Sequence, residues 1–256
     1  MYKLFSKYGF NSDVSHKSYL SKKGAFWPSI GNSFESHCKS LYHDHYDMEI
    51  PMLSAVMPIV FDGNVSLTQD YAPDKPIILM NEKTSVKLNG KKITAPVFAE
   101  SNGQILDGDT DSYVFWVKDG SELTIEGDGE IIAKPAKYSM AIWANGGKVT
   151  IKGGKFYNNG DNSDLIYASG NALVEIYGGE FHANENKGAV GTKNAYPALN
   201  IKDKDRETAK IVVYGGKFFG FNPADNLSEG PATNFVADGY KSVEIEPSVW
   251  EVTSAE

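Results

Sequence analysis

"VTIKGGKF" (149–156), "VEIYGGEF" (174–181) and "IVVYGGKF" (211–218) each set a glycine pair between a short β-branched run and a phenylalanine. Two earlier stretches, "VKLNGKKI" (86–93) and "LTIEGDGEI" (123–131), share most of the pattern. The first glycines of the five are Gly90, Gly127, Gly153, Gly178 and Gly215, separated by 37, 26, 25 and 37 residues. Two unbroken periods near 25, flanked by two that fit 25 plus an inserted loop, are the mark of stacked repeats.

The alternation inside each repeat explains the glycines. Val149 and Ile151 share one face of a strand, as do Val174 with Ile176 and Ile211 with Val213. Phe156, Phe181 and Phe218 fall on the opposite parity, so a straight strand would point them outward. A bend at the glycine pair, where positive φ costs little, turns each ring back inside. Stacked in register, the three rings would form an internal aromatic ladder.

A strand, a sharp corner and another strand recurring every 25 residues or so predict an all-β, parallel β-helix (solenoid). Right-handedness follows from the general preference of parallel crossovers. The competing reading is an antiparallel sandwich; its strands rarely repeat one corner motif at constant period. The chain from about residue 77 to 221 suffices for roughly six rungs, a column of about 30 Å at the usual strand spacing. "VSLTQDY" (65–71) reads as an incomplete first rung. "VEIEPSVW" (243–250) reads as a last strand with Pro247 in the glycine's place, where the stack should stop. The connection 222–239 is expected to fold over the last rung as a cap. The expected organisation is an anchoring arm over 1–55, a β-helix over 56–221 and a capping segment over 222–256.

The arm differs in composition from the rest. Residues 1–50 hold 10 of the 31 aromatics and four of the five histidines, and they lack a helical or strand period. So many aromatics call for burial, either against another subunit or assembly or as a cap on the first rung. Of the whole chain, 41% is hydrophobic and 23% charged, an ordinary globular balance. The net charge of −8 opposes nucleic-acid and anionic-membrane binding. The single cysteine, Cys38, excludes an intrachain disulfide. "MYKLFSKYGFNSD" lacks the apolar stretch of a signal peptide, and no segment reaches bilayer-spanning length, so folding in a cytoplasm and release by lysis are expected.

The residues that could carry chemistry are scattered. Arg206, the only arginine, sits in the polar insert "KDKDRET", a poor place for a preorganised base. His182 in "EFHANEN" reads as a surface residue. Asp107, Asp109 and Asp111 in "DGDTDS" resemble the start of a calcium loop, but Ser112 and Lys118 stand where Gly and Glu belong, so a turn between rungs is preferred. "DNSD" (161–164) reads as a polar corner. In the arm, His43 and His45 could bind a metal on the axis of a trimer, with an interface role as the plainer reading. Cys38 beside His37 finds no supporting partner for thiol chemistry. No catalytic, cofactor or metal residue is therefore assigned, and a scaffold or binder is expected rather than an enzyme.

"YGGKFFGFNPADNLSEGPATNFVADGYKSVEIEPSVWEV" (214–252) resembles a module of β-helical proteins from gut bacteriophages, the crAss-like and other Bacteroidales phages. The likeness rests on the Gly215–Phe218 corner, the Asn222–Asn226 turn, the Phe235–Tyr240 run and Trp250. "VKLNGKKITAP" (86–96) is similar to the opening rung of phage spike and fibre solenoids. The resemblance spans roughly residues 60–252 and implies a virion structural protein, a homotrimer held to capsid or tail proteins by its amino-terminal arm. The length fits a head fibre or decoration protein better than a polysaccharide-degrading tail spike; a bacterial carbohydrate-binding adhesin is the other alternative. Tyr177 and Tyr214, outward on adjacent repeats, are candidates for the trimer face or for stacking on a surface glycan.

Overall fold

The computed structural model describes residues 63–97, 100–101, 104–105, 111–136, 138–158, 164–183 and 197–256. The chain divides into Met1–Leu53 and Ser54–Glu256, and every described residue belongs to the second unit. The arm over 1–55, with Cys38, His43 and His45, lies outside the described residues, as do Asp107 and Asp109.

The strands follow one another with short corners between them. In chain order they begin β1 (Gly63–Ser66), β2 (Ile77–Leu79), β3 (Lys83–Lys87), β4 (Lys91–Thr94) and a two-stranded ribbon of β5 (Glu100–Ser101) and β6 (Gln104–Ile105). Next come β7 (Asp111–Lys118), β8 (Glu122–Glu126), β9 (Gly129–Ala133), β10 (Tyr138–Asn145), β11 (Lys148–Ile151) and β12 (Lys155–Asn158). The series continues with β13 (Ile166–Ser169), β14 (Leu173–Ile176), β15 (Glu180–His182), β16 (Leu199–Ile201), β17 (Lys210–Val213) and β18 (Gly216–Phe219). It closes with β19 (Tyr240–Glu246) and β20 (Val249–Ser254).

These strands stack into three sheets. Sheet A has the order β1-β3-β8-β11-β14-β17, sheet C has β2-β7-β10-β13-β16, and sheet B has β4-β9-β12-β15-β18-β20-β19. The chain visits A, B and C in that order and then returns to A, one repeat further along. All pairings in A and C are parallel, as are those in B up to β18. The fold is thus all-β, built from stacked parallel strands.

Each sheet buries at least one continuous column of apolar side chains. In sheet A the column is Val65, Val86, Ile125, Ile151, Ile176 and Val213. In sheet B it is Ile93, Ile131, Phe156, Phe181 and Phe218. In sheet C it is Ile77, Phe115, Ile142, Ile166 and Leu199. The expected ladder is present: Phe156 and Phe181 stack at 4.9 Å, Phe181 and Phe218 at 4.7 Å, and all three rings are fully buried. Burying each ring stabilises the fold by about 1.5–3 kcal/mol.

The glycine pairs divide the work of the corner. The second member takes the bend, with φ of 92° at Gly154, 109° at Gly179 and 113° at Gly216. The first member lets the backbone of one repeat touch the backbone of the repeat before it. The two longer periods are explained by connections 95–110 and 183–198, both between sheets B and C, and by 202–209, between sheets C and A, which holds a 3-10 turn at Asp203–Asp205.

The carboxyl end departs from the expected pattern. Residues 243–250 are not one last strand of the stack. Pro247 and Ser248 form the turn of a hairpin, and β20 folds back antiparallel onto β18, with Trp250 opposite Phe218. Proline presets the first turn residue and Ser248 accepts a φ of 61°, so the chain reverses where it would otherwise have ended an edge. Part of the segment 222–239 runs along the last strand of sheet A, with Val236 bridged to Val213. Val213 donates its N–H to the Phe235 carbonyl at 2.8 Å, and Ala237 donates back to Val213 at 2.9 Å. Asn226, buried, ties that segment together by donating its amide to the carbonyls of Asn222, Pro223 and Thr233. Together these contacts cover the last strands of sheets A and B.

Candidate functional site

The three outer faces carry different chemistry. On sheet B one column reads Lys92, Glu130, Lys155, Glu180, Lys217 and Glu251, alternating in sign from strand to strand. Within it Lys92 meets Glu130 at 2.9 Å and Lys155 meets Glu180 at 3.1 Å. On sheet A, Lys83 pairs with Glu122 at 2.6 Å and Lys148 with Glu175 at 2.8 Å. Hydrogen bonds to the facing glutamates raise the lysines at 92, 148 and 155 above their ordinary range. Such exposed pairs add little to stability, and they keep these faces hydrated.

Sheet C carries an aromatic column, and sheet B carries an aromatic stack beside its ionic one. Ile78, Trp116, Trp143, Tyr167 and Asn200 align in one column, each between two core-facing neighbours. The indoles of Trp116 and Trp143 stack at 4.9 Å with planes 7° apart. Tyr113 meets both edge-on, at 6.1 and 5.7 Å, and Tyr167 leans on Trp143 at 6.4 Å and 53°. Trp143 is only 6% exposed, and its Nε1 donates to Ser169 Oγ at 2.9 Å. The Lys118 ammonium stands 4.1 Å from the Trp116 ring centre, a cation–π contact. Trp116 Nε1 is buried without an acceptor among the described residues.

At its far end this column meets a group of carboxylates. Asp164, two residues before the strand that holds Tyr167, accepts from Asn200 Nδ2 at 3.1 Å. Burial pushes the Asp164 carboxyl up to about 7; the Asn200 hydrogen bond opposes the rise and Glu229 adds to it. Burial, followed by the charges of Asp164, Asp203, Asp205 and Glu229, pushes the Tyr167 phenol up to about 12. Glu229, from the cap, accepts the Ile201 N–H at 2.6 Å and Arg206 Nε at 2.8 Å. It therefore stands in for the strand that would otherwise follow β16.

The residues singled out in the sequence take structural places. Arg206 bridges Glu229 and Asp203, so the lone arginine clamps the cap. His182 is not a free surface residue: its ring lies between Tyr157 at 4.4 Å and Phe219 at 4.1 Å, with Glu180 3.5 Å from Nε2. Asp111 is the first residue of β7 and is buried, rather than part of a turn. Asp164 is half-buried and accepts from Asn200; 161–163 lie outside the described residues. Tyr177 and Tyr214 do face outward and stack at 4.7 Å, with Tyr240 edge-on to Tyr214 at 5.5 Å. Tyr214 is thus covered on both faces, and Tyr177 keeps one open face.

Sequence reasoning missed the sheet C column. Its signal is a third motif in each repeat, "FWV" (115–117), "IWA" (142–144) and "IYA" (166–168), in which an aromatic residue interrupts two core positions. Among the described residues, no group of three or more His, Cys, Asp and Glu side chains is placed to hold a metal ion. No helix of the described residues is long and apolar enough to cross a membrane. Comparison with family models, with curated proteins and with solved structures returns no match to this chain.

Proposed function

We propose that the three sheets close into a right-handed parallel β-helix of about six rungs, and that the chain is a non-enzymatic structural protein of a bacteriophage virion. The six strands of sheet A and the fixed A, B, C order of visits support the rung count; handedness follows the general rule for parallel crossovers. In this reading three copies associate as a head fibre or decoration protein, anchored to capsid or tail proteins by the arm over 1–55.

The observation that carries this reading is the aromatic column of sheet C, where Trp116 and Trp143 stack at 4.9 Å and Tyr167 leans on Trp143 at 6.4 Å. Sheet B presents a column of alternating charges and sheet A two lysine–glutamate pairs, which favour water. On sheet C, Trp116 and Tyr167 are partly exposed over the buried Trp143, an aromatic surface of the kind that interfaces enrich. We assign sheet C to the common axis, in preference to the Tyr177–Tyr214 pair. The open face of Tyr177, a residue 49% exposed, remains suited to a surface glycan. A structural role also fits Arg206 and His182, since ion pairs occupy the first and ring stacking encloses the second.

Light scattering on the full chain tests the assembly. The expected mass is three times 28.0 kDa, falling toward one chain in Trp116→Ala or when 1–55 is removed. A monomer at micromolar concentration would overturn the trimer. Electron microscopy of the intact particle, with this chain traced into density, tests the virion assignment.

A further inference from the structure

Tyr177 and Tyr214 occupy equivalent places in successive repeats. Each donates its N–H to a buried core residue one repeat back, Tyr177 to Ile151 and Tyr214 to Ile176, both at 2.7 Å. Lys152 holds the same place one repeat earlier, donating to Ile125 at 2.8 Å. This ladder position therefore reads Lys152, Tyr177, Tyr214, and the two rings stack at 4.7 Å with planes 5° apart. Tyr240 stands edge-on to Tyr214 at 5.5 Å. On the other side, the slot beside Tyr177 holds a lysine instead of a ring, and Tyr177 is 49% exposed.

The corner strips the surroundings of side chains. Gly178 and Gly179 follow Tyr177, and Gly215 and Gly216 follow Tyr214, so both rings rise beside bare backbone. The remaining neighbours share the outward parity of sheet A. They are Thr150, the Lys148–Glu175 pair at 2.8 Å, and Lys152, which is exposed and forms no ion pair among the described residues. Glu126, after Ile125, takes the same ladder place a further repeat back. Two lysines and two glutamates leave this rim without net charge.

We propose that the slot between Tyr177 and Lys152 is a binding site for one neutral pyranose ring of a glycan, stacked on the open face of Tyr177 and hydrogen-bonded at its hydroxyls by Lys152 and Glu175. The proposal rests on the surface-glycan reading of Tyr177 and adds the kind of sugar and the groups that hold it. The C–H bonds on a pyranose face carry partial positive charge and are attracted to the negative face of a phenol ring. The sugar would continue the ladder as its next ring, at the strand spacing of about 4.8 Å. A lysine in that slot permits this, because its flexible stem swings aside and turns the ammonium donors to the hydroxyls. The balanced rim, on a chain of net charge −8, gives an anionic sugar no advantage.

Methyl β-glucoside, whose ring C–H bonds are axial on both faces, is the probe, with methyl β-glucuronide as its anionic counterpart. Titrated into the full chain and followed by NMR of ring-labelled tyrosine, the glucoside is expected to shift the Tyr177 signals saturably. Nuclear Overhauser contacts should join its ring protons to the Tyr177 ring. Tyr177→Ala should abolish the saturable binding, and Lys152→Ala should weaken it about fivefold, the worth of one hydrogen bond. The glucuronide should bind no more tightly than the glucoside. Absence of a saturable shift, binding unaffected by Tyr177→Ala, or tighter binding of the glucuronide overturns the proposal. If Tyr177→Ala does not fold, the Overhauser contacts in the unaltered chain decide: contacts to Tyr177 support the site, and contacts to other aromatic rings end it. A trimer that binds no sugar would end this proposal alone, whereas a monomer that binds it would end the trimer and leave the site standing.

Discussion

A Cβ on Gly215 would stand 2.5 Å from the carbonyl oxygen of Tyr177, one repeat earlier in the chain. Gly178 repeats the relationship against Lys152 at 2.9 Å, and Gly153 against Gly127 at 2.6 Å. The corner is therefore a place where successive repeats touch through bare backbone. A side chain there must push apart the two strands that flank it.

Gly215→Ala is accordingly expected to cost about 2–3 kcal/mol, the range of overpacking in a closed site. Gly239→Ala provides the comparison, since that glycine has φ of 79° and nothing within 4 Å of its added Cβ. Only backbone strain of about 1 kcal/mol applies there. Urea midpoints compare the two. Equal losses would remove close approach as the reason for the first glycine of each pair.

Phe181 is enclosed by Phe156 on one side and Phe218 on the other, at 4.9 and 4.7 Å. Truncation to alanine opens a cavity that neither ring can fill without losing its own strand pairing. The expected loss is about 3–5 kcal/mol in denaturant unfolding. A loss below about 1 kcal/mol would mean that the ladder is not part of the cooperative core.

Lys155 faces Glu130 on one neighbouring strand and Glu180 on the other. Lys155→Glu would set three like charges in a row and cost roughly 1 kcal/mol at low salt. The penalty should shrink in about 1 M salt, where the screening length falls to about 3 Å. A penalty independent of salt would point to packing rather than charge.

The Glu180 carboxyl is raised by burial but lowered further by Lys155 and His182, so it ends below the ordinary value of 4.5. A depressed carboxyl adds stability above its unfolded value and loses it as pH falls through the folded one. Glu180→Gln should then cost about 0.5 kcal/mol at pH 7, a figure discounted for partial exposure, and nothing near pH 2. Unfolding midpoints at the two pH values measure the difference. An equal cost at both would exclude the charge.

The repeat was legible because its corner leaves two independent marks, a glycine for contact and a glycine for φ, beside a phenylalanine of wrong parity. The Trp116–Trp143 column left a mark as well, but its spacing of 27 residues followed by 24 to Tyr167 blurs the period. The hairpin of β19 and β20 hid because "VEIE" alternates as a stacked strand does; only the Pro247–Ser248 pair announces reversal. The environment of Asp164 could not be read at all. Its hydrogen bond comes from Asn200, 36 residues later, and its carboxyl is raised by the charge of a residue, Glu229, that no local pattern connects to it.

The order in which the chain visits its sheets also governs how the molecule bears load. Backbone bonds between repeats run along the stacking direction, and each strand pairs only with the repeats before and after it. Tension along the stack would peel one repeat at a time from an end, each release needing little force. Tension across it would load the bonds of a whole sheet together in shear. The terminal hairpin and the Glu229–Arg206 clamp sit where such peeling would start, so the resistance of the column to being pulled apart resides in its last thirty or so residues rather than in its aromatic interior.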